Sequence, residues 1–260
     1  MHHRSLGRAR GRVLAYHWVG DGPESPLVVP ARAFHAQLDF LHRRGHRFVS
    51  VSRYLSGSVP DRAVLLTFDD GYETCYSAVF PLLAQRNISG LFFPIGATLA
   101  SGSALTGVLN VPAGARFLRA AHVREMHAAG MSFGVHGFHH RPLRQLPADE
   151  VRRELRDNKA ALEQVLGTEV TTVCYPLGSV DSRVIDIARS CGFTAGFVTP
   201  RRLGIPQSQL SVRRIGIYAA DHAVRFRFKM SRVGAAAGVA ARLLRTASAF
   251  LQSRGPSSPD

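Results

Sequence analysis

Lysine is nearly absent from this sequence. Only Lys159 and Lys229 stand among 33 Lys plus Arg residues, so a formal charge of +15 against 18 Asp plus Glu is carried by arginine. Such a balance calls for an anionic partner to be considered. No recognisable nucleic-acid motif accompanies it, so nucleic acid is not the expected partner. Cysteine is scarce as well: Cys75, Cys174 and Cys191 are too few and too scattered for a disulfide framework, and the lack of a CxxC pair excludes a structural zinc knuckle. No apolar run is long enough to span a bilayer, and the basic start, "MHHRSLGRARGRVLAYH", lacks the uninterrupted apolar stretch of a secretory signal. The expected setting is therefore the reducing cytoplasm. What the chain does have is 260 residues, 45% of them hydrophobic, enough for a sizeable core in one large domain or two small ones.

Strand and helix patterns alternate along most of that length. The strand ending at Tyr16 is followed by a helix with Phe34, Leu38 and Leu41 on one face, which stops at Gly45 before a strand through Phe48, Val49 and Val51. The rhythm continues through "AVLLTF", "SAVFPLLAQRN", "SGLFFPI", an irregular segment near 98–118, "AAHVREMHAAG", "MSFGV", "PADEVRRELRDNKAALEQVLG", "EVTTVCYP", "DSRVIDIARSCG" and "FTAGFVT". Alternation of this kind implies parallel strands covered by helices, in a barrel or a doubly wound sheet. There is no internal repeat. A boundary is expected near residue 222, beyond which 223–260 read as a basic Ala/Arg-rich helix and a disordered tail.

Two segments carry chemistry. In "TFDDGY" the adjacent Asp69 and Asp70 follow an apolar strand, where burying even one ionised carboxylate is costly. Mid-strand they point to opposite faces, but at the strand's end, with Gly71 to make a turn, they can share a site. A solvated turn is the alternative. In "GVHGFHHRPL", His136 and His140 stand four residues apart, a spacing that on one helical turn brings both imidazoles to a common face, while Gly137 and Pro142 make the segment a loop or a single helical turn; a surface turn is again the alternative. Two imidazoles and one carboxylate make a three-ligand zinc site with an open position, in which His139 has no place. No Glu follows His136, so the HExxH protease pattern is excluded. A bound dication offsets the carboxylate charge.

These two segments, in this order and each after a strand, resemble the polysaccharide deacetylase family, carbohydrate esterase family four, of the NodB-homology type. The resemblance covers roughly residues 13 to 215 and takes in "AYHWV", "YPLG" and "VRRIGI". It implies a distorted (β/α) barrel with an incomplete set of repeats, and a metal-dependent hydrolase that removes an N-acyl group, N-acetyl above all, from an amino sugar. It implies Asp70, His136 and His140 as ligands of a divalent ion, zinc being the expected one, and Asp69 as the general base. Such an ion acidifies water and polarises the amide carbonyl, while an unligated carboxylate takes the water's proton. The backbone N–H of Leu177 is the implied oxyanion donor.

The chain also departs from the family pattern. Cys174 and Leu177 stand where the "RxPY" form has Arg and Tyr, so the arginine that usually orients the base is missing there, and Cys174 reads as a packing residue. No C-terminal "LxH" motif supplies an acid. Deacetylases of exported poly-N-acetylglucosamine share an early "YHxV"-like segment whose His is given that role, which makes His17 the candidate acid and His222 a weaker second. Each reads equally as an ordinary structural residue. Tyr72 and Trp18 are candidate sugar platforms or core-edge residues. The basic tail suits an anionic membrane surface, and with it a lipid- or nucleotide-linked amino sugar as substrate. A solvated helix packed on the barrel is the alternative. The competing functional expectation is a catalytically impaired carbohydrate-binding protein that keeps fold and metal; intact Asp69 argues against it.

Overall fold

The structure, a computed structural model, describes residues 11–57, 59–99, 102, 111–112, 114–199 and 206–231. Strand β1 (Arg12–Tyr16) leads to a short parallel pair, β2 (Trp18–Val19) and β3 (Val28–Val29), and then to helix α1 (Ala31–Arg43). Phe34, Leu38 and Leu41 of α1 are buried, as their helical spacing requires. Strand β4 (Arg47–Phe48) is shorter than expected because Ser50 accepts the Arg53 N–H and so caps helix α2 (Val51–Leu55); Val51 starts a helix instead of ending a strand. The long central strand β5 (Ala63–Asp70) is buried throughout and runs through both carboxylates.

A π-helical turn (Cys75–Val79) enters α3 (Phe80–Gln85), followed by β6 (Gly90–Pro94), α4 (Ala120–Ala128) and β7 (Ser132–Phe133). Helix α5 (Ala148–Leu166), β8 (Thr172–Cys174), α6 (Ser182–Ser190) and β9 (Ala195–Val198) come next. Two short strands, β10 (Val212–Arg213) and β11 (Ile215–Gly216), and helix α7 (Ala223–Lys229) complete the order.

Every strand pairing is parallel. One sheet runs β11-β1-β5-β6-β7, with β4 beside the start of β5, and a second runs β8-β9-β10. A single bridge, Val135 to Val173, joins them on one side. On the other, Arg214 alone separates β10 from β11, so the chain steps from the second sheet back to the first, where Ile215 pairs with Leu14. Among the described residues the result is a distorted barrel of seven staves, with β10–β11 as the broken one. Alternation of strand and helix gives this class but not the number of staves.

The two-residue period of a strand sorts the side chains. Val13, Leu65, Leu91, Phe93, Phe197 and Val212 fill the barrel, while Leu14, Val64, Leu66 and Phe68 face the helices. Extending the inward parity along each stave puts His17, Asp69, His136, Cys174 and Arg214 at the carboxyl ends of the strands, the end where such barrels place their chemistry. Beyond the expected boundary at 222, α7 is part of the coat. Its Phe226 and Met230 belong to the main core, and Phe226 meets the Phe40 ring of α1 at 6.0 Å. Most of the expected basic tail, 232–260, lies outside the described residues, as does much of 98–118.

Candidate functional site

Strand alternation sends Asp69 into the barrel and Asp70 away from it. The backbone reverses that: Asp70 and Gly71 both adopt left-handed conformations, φ 67° and 71°, which swing the Asp70 side chain back to the mouth. A Cβ on Gly71 would lie 2.6 Å from Pro94 Cβ and 2.7 Å from Pro94 Cα, so only glycine fits against the end of β6. Asp70 Oδ1 then stands 3.3 Å from His136 Nε2 and 3.4 Å from His140 Nε2, with all three side chains buried. Of the two readings, a loop or a single helical turn, the chain adopts the loop. They converge through an irregular loop bent at Gly137 (φ 73°) and His140 (φ 59°). His139 turns away from them and lies with Nδ1 2.9 Å from Glu154 Oε1.

His136 Nδ1 lies 2.8 Å from the Cys174 carbonyl, which can only accept, so Nδ1 is the donor there and Nε2 is the nitrogen that faces Asp70. Asp70 Oδ1 is buried with no hydrogen-bond partner. Burial raises the Asp70 carboxyl, but the adjoining His136 and His140 hold it below the usual carboxylate range. A buried anionic oxygen without a donor, faced by two imidazole nitrogens, is costly unless a cation offsets it. Two nitrogens and one oxygen within 4.8 Å of one another fit a divalent ion such as zinc.

Asp69 has a different partner. Arg214 Nη1 and Nη2 donate to its two oxygens, each at 2.6 Å, in a buried fork. The same guanidinium donates to Thr67 Oγ1 at 3.0 Å and reaches Cys174 Sγ at 3.0 Å. The arginine missing at position 174 is thus supplied by the broken stave, and the thiol fills the space beside it. Burial raises the Asp69 carboxyl, and the charge and hydrogen bonds of Arg214 outweigh it, leaving a depressed value. His17 Nε2 lies 3.8 Å from Asp69 Oδ2, and its buried Nδ1 has no partner. His222 is exposed at the start of α7. Arg214 is the site residue that the sequence reading misses; its signal is an arginine at an inward position of a strand in "VRRIGI".

Leu177 sits in the turn after β8 with φ 57°. Asp70, His140 and Leu177 are three of the five non-glycine residues with positive φ among those described, so unusual backbone gathers at this mouth. Tyr72 is 1% exposed, its ring 4.9 Å from that of Trp18 and 5.3 Å from that of Phe117. Of the two readings of Tyr72, its burial favours the core-edge one, behind the half-buried Trp18, whose Nε1–H donates to the Asp21 carbonyl.

The model of the family described as polysaccharide deacetylase matches residues 56–196, a span holding Asp69, Asp70, His136, His140 and Leu177. The chain belongs to the polysaccharide deacetylase family. Among its relatives is YxkH of Bacillus subtilis (strain 168), a polysaccharide deacetylase by name, 26% identical over 79% of this chain and 70% of that protein. The poly-β-1,6-N-acetyl-D-glucosamine N-deacetylase of Escherichia coli (strain K12) is 30% identical over 32% of this chain and 13% of the enzyme, so the likeness is to a small part of that protein. Among solved structures, the deacetylase PplD of Streptococcus pyogenes, in complex with acetate, superposes with a TM-score of 0.72 at 25% identity, covering 85% of this chain and 97% of that one. IcaB of Ammonifex degensii gives 0.66 at 26% identity, covering 81% and 93%. His17 and Arg214 lie outside the matched span, on the staves that flank it.

Proposed function

We propose that this polysaccharide deacetylase family member is a divalent-metal-dependent hydrolase that removes the N-acetyl group of an amino sugar in a polysaccharide or glycoconjugate. The observation that carries the reading is the pairing of two carboxylates with two different tasks: Asp70 faces His136 and His140, and Asp69 is held apart by Arg214. Asp70, His136 and His140 are the residues that hold the ion, with zinc as the expected metal. When bound, the ion lowers the pKa of water and polarises the amide carbonyl.

The chain's own groups do the rest. Asp69 accepts the proton of the attacking water, and Arg214 keeps it ionised and aimed. The Leu177 N–H donates to the oxygen that gains charge as the carbonyl carbon becomes tetrahedral. His17, beside Asp69, gives a proton to the leaving nitrogen as the C–N bond breaks. The products are acetate and a free amine. Trp18 stands near the mouth as the remaining aromatic candidate for the apolar face of a sugar ring.

The proposed setting is the cytoplasm, at an anionic membrane face reached through α7. Val224 and Phe228, one helical turn apart on α7, are 71% and 51% exposed beside Arg225 and Arg227. This setting favours a lipid- or nucleotide-linked amino sugar as substrate over an exported polymer. Acetate release, measured with the purified full chain on N-acetylated oligosaccharides, nucleotide sugars and lipid-linked sugars, tests the reaction. Release that depends on added zinc and stops with chelator is expected. Zinc binding without release from any arm would favour a binding protein instead.

A further inference from the structure

We infer that Glu154 and Asn158, one turn apart on α5, are positioning residues that hold the loop of His136 and His140 in its ligand-donating shape. The inference rests on the metal reading of that loop. With left-handed residues at Gly137 and His140, the loop has no helical hydrogen bonds of its own to fix the distance between its two imidazoles. Its backbone is held from outside. Asn158 Nδ2 donates to the Gly137 carbonyl at 2.7 Å and to the Pro94 carbonyl at 3.1 Å, tying the loop to the end of β6. Glu154 Oε2 accepts the His139 backbone N–H at 2.8 Å. From the turn after β6, the Gly96 N–H donates to the Gly137 carbonyl and the Ala97 N–H to the Phe138 carbonyl. All three residues between the ligands are therefore pinned, two of them by α5.

The composition of α5 supports a task beyond packing. Its buried face carries Val151, Leu155 and Leu162, but also Glu154 at 3% exposure and Asn158 at 0%. A helix that only had to cover the barrel gains nothing from a carboxylate and an amide there, since both need partners once buried. Their main partners are backbone groups of one loop, and a Cβ at Gly137 would already lie 3.2 Å from Glu154 Oε2. The imidazole of His139 also meets Glu154, with Nδ1 2.9 Å from Oε1, but it is half exposed, where such a contact is screened by water.

The test is zinc affinity, by competition with a chromophoric chelator, beside the melting temperature of the metal-free full chain. Glu154→Ala is expected to weaken zinc binding about 10- to 100-fold, as loss of outer partners of metal ligands does elsewhere. Glu154→Gln, whose amide oxygen still accepts the His139 N–H, should recover most of that loss. His139→Ala, which keeps the N–H, should stay within about 3-fold of the parent. A folded Glu154→Ala protein that binds zinc as tightly as the parent overturns the inference, even with a lower melting temperature. Should Glu154→Ala not fold, unchanged affinity in Asn158→Ser overturns it equally. Absence of zinc binding by the parent chain rejects the metal reading itself, a result that the variants cannot mimic.

Discussion

Asp69 and Arg214 form the most demanding contact in the molecule, a charge pair closed off from water with two bonds of 2.6 Å. Replacing Asp69 by Asn should leave zinc binding intact and lower turnover about 10²- to 10⁴-fold, the range for loss of a general base; acetate release and chelator competition on the same preparation check both halves. Arg214→Met should cost about 3–5 kcal/mol at neutral pH, because it leaves a buried carboxylate alone. The sign with pH is definite. A carboxyl that folding depresses stabilises fully above about pH 4 and loses that contribution as pH falls through its lower folded value. In Arg214→Met the carboxyl is raised instead, so the deficit relative to the parent should narrow on acidification from pH 7 towards pH 4; urea unfolding at the two pH values measures it. Asp69, Asp70, His136 and His140 were legible because each sits in a short segment whose local pattern is unusual. Arg214 was not, because its partner lies 145 residues away and one arginine among many in a basic chain carries no local mark.

Among the elements, the end of β5 decides the geometry. Gly71→Ala places a methyl within 2.7 Å of Pro94 at a backbone angle alanine avoids, so it should destabilise by more than about 1 kcal/mol and weaken zinc binding along with it. Thermal melting and chelator competition on one variant would show both effects; a change in neither would mean that the turn does not aim Asp70. Helices α1 and α5 were readable, since each keeps an apolar face at helical spacing over about two turns or more. Short pieces were not. Ser50 converts an apparent strand into a capped helix, and the loop from His136 to His140 uses positive φ where spacing alone suggests a helical turn. Both outcomes hang on one or two backbone angles that a hydrophobic period does not encode.

At the scale of the whole molecule, two sheets joined by one bridge and one broken stave make a barrel whose class follows from alternation but whose closure depends on contacts between the chain's distant parts. Its charge of +15 makes a further prediction. The full chain should sediment with vesicles rich in anionic lipid and not with neutral ones, and Val224→Ser with Phe228→Ser should reduce that binding; equal recovery of parent and variant would place the surface elsewhere. The junction between β10 and β11 also bears on biosynthesis. At about 5–20 residues/s, the 145 residues between Asp69 and Arg214 take roughly 7–30 s to translate. Through that interval the nascent chain holds the Asp69 carboxylate without its Arg214 counter-charge, and the first stave without its neighbour β11. The candidate site is therefore completed only after the ribosome has released nearly all of the barrel, and an emerging fragment lacking residue 214 has neither a closed wall nor the partner of Asp69.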